Sequence, residues 1–180
     1  RIRLINADAV KAFLPPFNKV VSNLPYQISS PITFKLLDIG FEVAVLMLQR
    51  EFAERMVAKP GTADYGRLSV GVYYRADCEI VLDVPRNAFW PQPKVDSCVV
   101  RLVPKKPPFV IPDEDAFFRV TQAIFSHRRK KISNSLKADP AVQSMISKLS
   151  AGDLDALPYS ARRAEELTPE TLDRNVDRFA

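Results

Sequence analysis

An α/β sheet domain followed by a small all-helical domain is the fold class this sequence predicts. Three observations lead to it. Valine-rich, strand-like runs alternate with helical patterns through the first hundred residues, the way α/β sheets are written. A linker containing four prolines, Pro104–Pro112, then interrupts the chain. Beyond it helical patterns recur and strand patterns do not. The expected division is therefore residues 1–109 and residues 110–180.

Taken in order, Arg1–Ala7 alternates Ile2 and Leu4 with polar neighbours and predicts a short strand ending at Asp8. Lys19–Ser22 predicts a second strand. Ile32–Ile39 predicts a helix, with Ile32, Leu36 and Ile39 on one face and Gly40 as its stop. Glu42–Gln49 is almost continuously apolar, as a parallel strand covered on both faces would be. Arg50–Ala58 predicts a helix broken at Pro60-Gly61. Arg67–Ala76 alternates Leu68, Val70, Val72 and Tyr74 as a strand would. Glu79–Val84 and Val95–Val103 are strands suited to an antiparallel edge, joined by a proline-rich connection from Pro85 to Pro93. After the linker, Glu114–Phe125, a basic stretch Arg128–Lys137, Ala141–Leu149 and Pro169–Phe179 read as helices. Thr168 at the cap and Pro169 at the first helical position mark the last of these.

Composition narrows the function. With 180 residues and 47% apolar content the chain can bury a core. Its longest uninterrupted apolar run, Val43–Leu48, is far too short to span a membrane. No basic-then-apolar signal segment opens it. Cys78 and Cys98 form no Cys-x-x-Cys pair and read as buried thiols of a cytoplasmic protein. A single histidine, His127, leaves little material for a metal site, so no metal is expected. The net charge of +5 favours an anionic partner. Ser126–Ala138 concentrates it, with five cations and no acid, and Arg128, Arg129, Lys130 and Lys131 have no acidic partner one helical turn away within the run.

The most informative stretch is Val20–Pro31. A β-branched run stops at Asn23-Leu24-Pro25-Tyr26, and a helical pattern starts just beyond Pro31. A strand, a polar turn and a helix is the arrangement in which open α/β sheets place ligands. Pro25 drives Leu24 out of helical conformation and fixes its own φ, so the carbonyls around it are expected to face outward as acceptors. Asn23 adds a side-chain acceptor and Tyr26 a flat aromatic face. Together they suit a planar, amine-bearing ring.

Asn23-Leu24-Pro25-Tyr26 followed by Ile28-Ser29-Ser30-Pro31 resembles the target-base motif of the adenine N6-methyltransferases. It is most similar to the KsgA-type dimethyltransferases of small-subunit ribosomal RNA. Further stretches resemble that family in the same order: Leu48–Glu51, Tyr65–Val70, Phe89 with Pro91–Ser97, and Arg128–Lys130. The resemblance runs from about Asp8 to the C-terminus. It implies a helix over Arg67–Ala76 and the C-terminal part of a Rossmann-like methyltransferase sheet. It also implies S-adenosyl-L-methionine as cofactor, with Asp8, Ala9 and Asn23 toward its adenine end. Asn23, Leu24, Pro25 and Tyr26 would hold the substrate adenine, and Phe89 would close its other face. Arg128, Arg129, Lys130 and Lys131 would face RNA. Asp8 equally suits an N-cap for Ala9–Phe13. Phe89 and Trp90 can both be read as core packing under the proline-rich connection, and Trp90 is read that way here.

The partners so implied are small-subunit ribosomal RNA and the pre-ribosomal small subunit. A non-catalytic RNA-binding assembly factor and a large-subunit adenine methyltransferase are the alternatives. Five glycines assemble no Gly-x-Gly-x-x-Gly turn, and no acidic residue closes a second strand. The resemblance makes the first strand here the third of the family's sheet. The cofactor-binding half is therefore expected to be absent, and the chain alone to bind RNA without methylating it.

Overall fold

The computed structural model describes residues 2–147 and 150–176. They form two compact units, one from residues 2–57 and 75–106, the other from residues 58–74 and 107–176.

The first unit is a four-stranded mixed sheet in the order β1-β2-β4-β3. Strand β1 (Lys19–Asn23) runs parallel to β2 (Val43–Gln49), in register from Lys19 opposite Val43 to Asn23 opposite Met47. A parallel pair needs a crossover, and helix α1 (Ser29–Ile39) supplies it. Gly40 ends α1 at φ +84°, donating its N–H to Leu36 O at 3.0 Å; few residues with a Cβ take this conformation. Strand β2 passes directly into helix α2 (Arg50–Val57). Strands β3 (Ala76–Val84) and β4 (Ser97–Pro104) form the expected antiparallel edge, with a bulge between Ile80 and Leu82. Ala44, Leu46 and Leu48 of β2 and Cys98, Val100 and Leu102 of β4 are completely or almost completely buried, together with Leu36 and Phe52 of the helices. Alternate residues of β2 are half-buried, so one face of this central strand is better covered than the other.

The strand expected over residues 1–7 does not form. Residues 2–7 run without sheet pairing, and Ile2 and Leu4 lie in solvent. Alternating polarity without a ladder partner has no backbone hydrogen bonds to hold it extended.

The second unit takes helix α3 (Arg67–Arg75) apart from its last residue. The strand-like alternation of this segment is overridden because Ser69, Val70, Val72 and Tyr74 are all buried, and only Tyr73 among the later side chains is well exposed. Helix α4 (Glu114–Ser126) starts at Asp113, whose Oδ1 accepts from Ala116 N at 2.9 Å. Tyr65, Val70, Tyr74, Phe117, Val120, Ile124, Ile132, Leu136, Leu154 and Leu172 build the core.

Two helical expectations are corrected in this unit, and one helix is added. The basic stretch does not begin a helix at Arg128: residues 127–130 are a turn, and α5 spans Ile132–Ala138. The reason lies in its first donors, since Ile132 N reaches Arg162 O and Ser133 N reaches Ser160 O, pinning the helix start to the segment 160–163. The helix expected over Ala141–Leu149 is a 3-10 turn, Pro140–Val142, followed by the four-residue α6 (Gln143–Ile146), and Leu149 falls outside the described residues. A short helix not anticipated, α7 (Ala151–Asp155), follows a capping box in which Ser150 and Asp153 satisfy each other's backbone N–H. Helix α8 starts at Pro169 as expected and is described to Val176.

Candidate target-base site

The site grows out of the end of β1. Asn23 is its last residue, and the Leu24 N–H continues the ladder by donating to Met47 O at 3.3 Å. Pro25 then has φ −57° and ψ 128°, which turns the chain out of the sheet and into a 3-10 turn, Tyr26–Ile28, that leads to α1. The turn closes when Ile28 N donates to Pro25 O at 3.1 Å. One of the two carbonyls expected to face outward is therefore already in use. The Leu24 carbonyl and the Asn23 side chain have no hydrogen-bond partner among the described residues.

The connection from β3 to β4 comes over this turn. After a 3-10 turn, Arg86–Ala88, Phe89 is extended (φ −118°, ψ 150°), and the Trp90–Pro91 peptide is cis. Asp96 ties the connection down: its Oδ1 accepts from Arg86 N at 2.9 Å and its backbone O from Arg50 N at 3.0 Å. Asn23, Leu24, Pro25, Tyr26, Met47, Phe89, Pro91 and Pro93 together line an open cavity of about 320 Å³. Leu24 is buried, Tyr26 and Phe89 are half-buried, and Asn23 is exposed, so an apolar slot has one polar rim. The Tyr26 ring is held in place at its far end, where its hydroxyl lies 2.8 Å from the Oγ of fully buried Ser97. Neither cysteine is poised as a nucleophile: burial pushes the Cys78 thiol up to about 12 and raises that of Cys98.

Residues 1–157 match the family described as ribosomal RNA adenine dimethylase. The chain belongs to this family. Among its relatives, a Methanosarcina acetivorans protein described as "Probable ribosomal RNA small subunit methyltransferase A" is 48% identical over 177 residues, 95% of this chain and 64% of that protein. A Thermococcus kodakarensis protein of the same description is 49% identical over 175 residues, 95% of this chain and 61% of that protein. The chain thus spans less than two thirds of the length of these dimethylase relatives. The crystal structure of a dimethyladenosine transferase from Plasmodium falciparum superposes with a TM-score of 0.80 at 30% identity, covering 97% of this chain and 71% of that one. The 23S rRNA methyltransferase ErmE superposes with a TM-score of 0.61 at 28% identity, covering 97% and 70%. The α/β architecture is shared with these two structures.

The residues expected to meet a methyl donor are not all in this cavity. Asp8 and Ala9 lie on a turn in which Asp8 acts as a cap: its Oδ1 accepts from Val10 N at 2.9 Å and its backbone O from Ala12 N at 2.8 Å. Lys35 of α1 fixes that turn by donating to the carbonyls of Ala9 at 2.8 Å and Val10 at 2.9 Å. Just beyond Asp8 and Ala9, Val10–Leu14 and the α1 residues Phe34, Lys35, Asp38 and Ile39 line a second open cavity of about 640 Å³, whose lining includes neither Asp8 nor Ala9. Asp8 is exposed, and its second carboxylate oxygen has no partner among the described residues, so it could accept from an exocyclic amine of a methyl donor. Among the described residues no glycine follows a strand to cradle the donor's charged end.

The four cations of the basic stretch are separated by the fold. Arg128 turns inward: Nε meets Glu165 Oε2 at 2.7 Å, Nη2 meets Thr62 O at 2.7 Å, and Nη1 meets Ala63 O. Arg129, Lys130 and Lys131 are exposed and make no ion pair among the described residues. The reading of Trp90 as core is overturned, since it is 96% exposed. No group of His, Cys, Asp and Glu that could hold a metal occurs among the described residues.

Proposed function

We propose that this chain carries the target-base site of an S-adenosylmethionine-dependent dimethylase acting on adenine exocyclic amines of small-subunit ribosomal RNA. Its partner would be the pre-ribosomal small subunit, in the cytoplasm. The observation that carries the reading is the single cavity in which Asn23, Leu24, Pro25, Tyr26 and Phe89 converge.

An adenine amine is a weak nucleophile because its lone pair is spread into the ring. The Asn23 side-chain oxygen and the Leu24 carbonyl would accept its two hydrogens and favour a pyramidal nitrogen, whose lone pair is then localised for attack. These are oriented dipoles acting where charge develops, and no strong base is required. Tyr26 and Phe89 would grip the two faces of the base, which must leave its stack or come from single-stranded RNA. S-adenosylmethionine would supply an electrophilic methyl group, and Asp8, Ala9 and Asn23 are the residues of this chain that would hold it. The relatives described as ribosomal RNA small subunit methyltransferase A favour small-subunit over large-subunit RNA.

The test is Asn23→Ala in the full-length protein. Single-turnover methylation of adenine in small-subunit RNA should fall by ~10²–10³, the usual loss for one group of this kind, with RNA affinity much less changed. Near-normal methylation would sink the assignment, and wild-type protein that binds RNA yet transfers no methyl would leave the non-catalytic assembly factor.

A further inference from the structure

Trp90 presents almost its whole indole to water, beside the base cavity and between two residues that line it. Phe89 is extended, so successive side chains diverge: Phe89 and Pro91 face the cavity and Trp90 faces out. A large aromatic surface left in water costs hydration free energy unless a partner covers it. The connection that carries it is also cationic at both ends. Arg86 and Lys94 are exposed, and Arg86 Nη1 donates to Lys94 O at 3.5 Å, drawing the two ends together. The one acid between them and β4, Asp96, is occupied by Arg86 N and its position is set by the backbone bond to Arg50.

We propose that Trp90 is a stacking platform for a nucleotide flanking the adenine held in the cavity, with Arg86 and Lys94 against the adjoining phosphates of a single-stranded RNA. An aromatic face with flanking cations grips single strands by stacking and charge, which every base can satisfy. The proposal rests on the reading of the neighbouring cavity as a base site, and it adds a contact outside that cavity.

Trp90 is the sole tryptophan of the sequence, so its emission reports on it alone. A short single-stranded adenine-rich RNA should quench that emission, whereas inorganic polyphosphate, which brings charge without bases, should not. Trp90→Ala should weaken binding of the same RNA, read by anisotropy of a labelled strand, by about five- to 150-fold, and Trp90→Phe should recover most of it. Because the side chain is exposed, both variants should keep the wild-type melting temperature. Emission unmoved at RNA saturation, or moved equally by polyphosphate, overturns the proposal and points to a protein partner instead. If Asn23→Ala abolishes methylation while Trp90 emission is unmoved, the stacking contact alone fails. If Asn23→Ala is silent while RNA still quenches Trp90, the stacking contact stands and the base cavity is misassigned.

Discussion

Ser97 and Tyr26 lie 71 residues apart in sequence, yet one hydrogen bond between their hydroxyls sets the angle of the ring proposed to stack on the base. Ser97 is fully buried and Tyr26 is not, so the two ends of the bond are unequal. Tyr26→Phe strands the Ser97 hydroxyl away from water, which costs ~1–3 kcal/mol. Ser97→Ala leaves a phenol that water can reach, and should cost less, near the ~0.5–1.5 kcal/mol of an ordinary hydrogen bond. Urea denaturation should rank the two in that order, and the double variant should lose less than the sum of the singles. Equal and additive losses would mean the bond does not exist in solution. Phe89 invites a companion test: Phe89→Ala should reduce methyl transfer by the full-length protein with little change in melting temperature, and Phe89→Tyr should be tolerated. At this scale the sequence identified which residues meet at the cavity, because Asn23–Tyr26 and Phe89 belong to recognisable motifs. It misjudged Trp90 because composition does not reveal which side of an extended, proline-rich connection faces out.

Among elements, the four paired strands were legible, and the start of α5 was not. Continuous apolar runs such as Val43–Leu48 predict their own pairing, since their burial needs neighbours on both sides. The start of α5 depends instead on carbonyls near residue 160, which no local pattern announces. Helix α7 carries a local signal, the Ser150-x-x-Asp153 pair of a capping box, but its five residues are too few to show an apolar period. Three exposed carboxylates in this part of the fold have hydrogen-bonding partners, each a modest contribution because water screens them. Lys137 donates to Asp155 at 3.1 Å and holds its carboxyl below the usual 3.8, Ser150 does the same for Asp153, and Arg162 lowers Glu166 from 4.5. Depressed values mean that the folded chain binds fewer protons than the unfolded one, so stability from these groups is complete above the unfolded values. It is lost as pH falls through the folded ones. The helical signal should therefore melt at progressively lower temperature as pH drops below about 4.5, with no comparable change between pH 6 and 8. Circular dichroism melts across that range provide the check, and Lys137→Gln should flatten part of the acid slope. A melting temperature indifferent to acid would contradict it.

For the molecule as a whole, the excess of five positive charges is the property that any polyanionic partner meets first. The sequence lumps Arg128, Arg129, Lys130 and Lys131 into one patch; the fold divides the labour. Arg128 spends its guanidinium on Glu165 and on the carbonyls of Thr62 and Ala63, joining residues 60–65 to the segment 160–167 inside the helical unit. Arg129, Lys130 and Lys131 keep their charge at the surface. If those three contact phosphates, each releases counterions on binding, and the log–log dependence of affinity on salt has a slope of ~0.7 per contact for single strands. Replacing the three with Gln should thus reduce the slope by about 2 and leave the melting temperature unchanged. Arg128→Ala should do the reverse, lowering the melting temperature by removing the partner of a half-buried carboxylate and two carbonyls while changing the slope little. Titrations of single-stranded ribosomal RNA at several salt concentrations, paired with thermal melts of both variants, separate the roles. An unchanged slope in the triple variant would reduce that turn to a solvated surface, and a slope reduced by Arg128→Ala alone would place the phosphate contact on the one cation of these four that the fold turns inward.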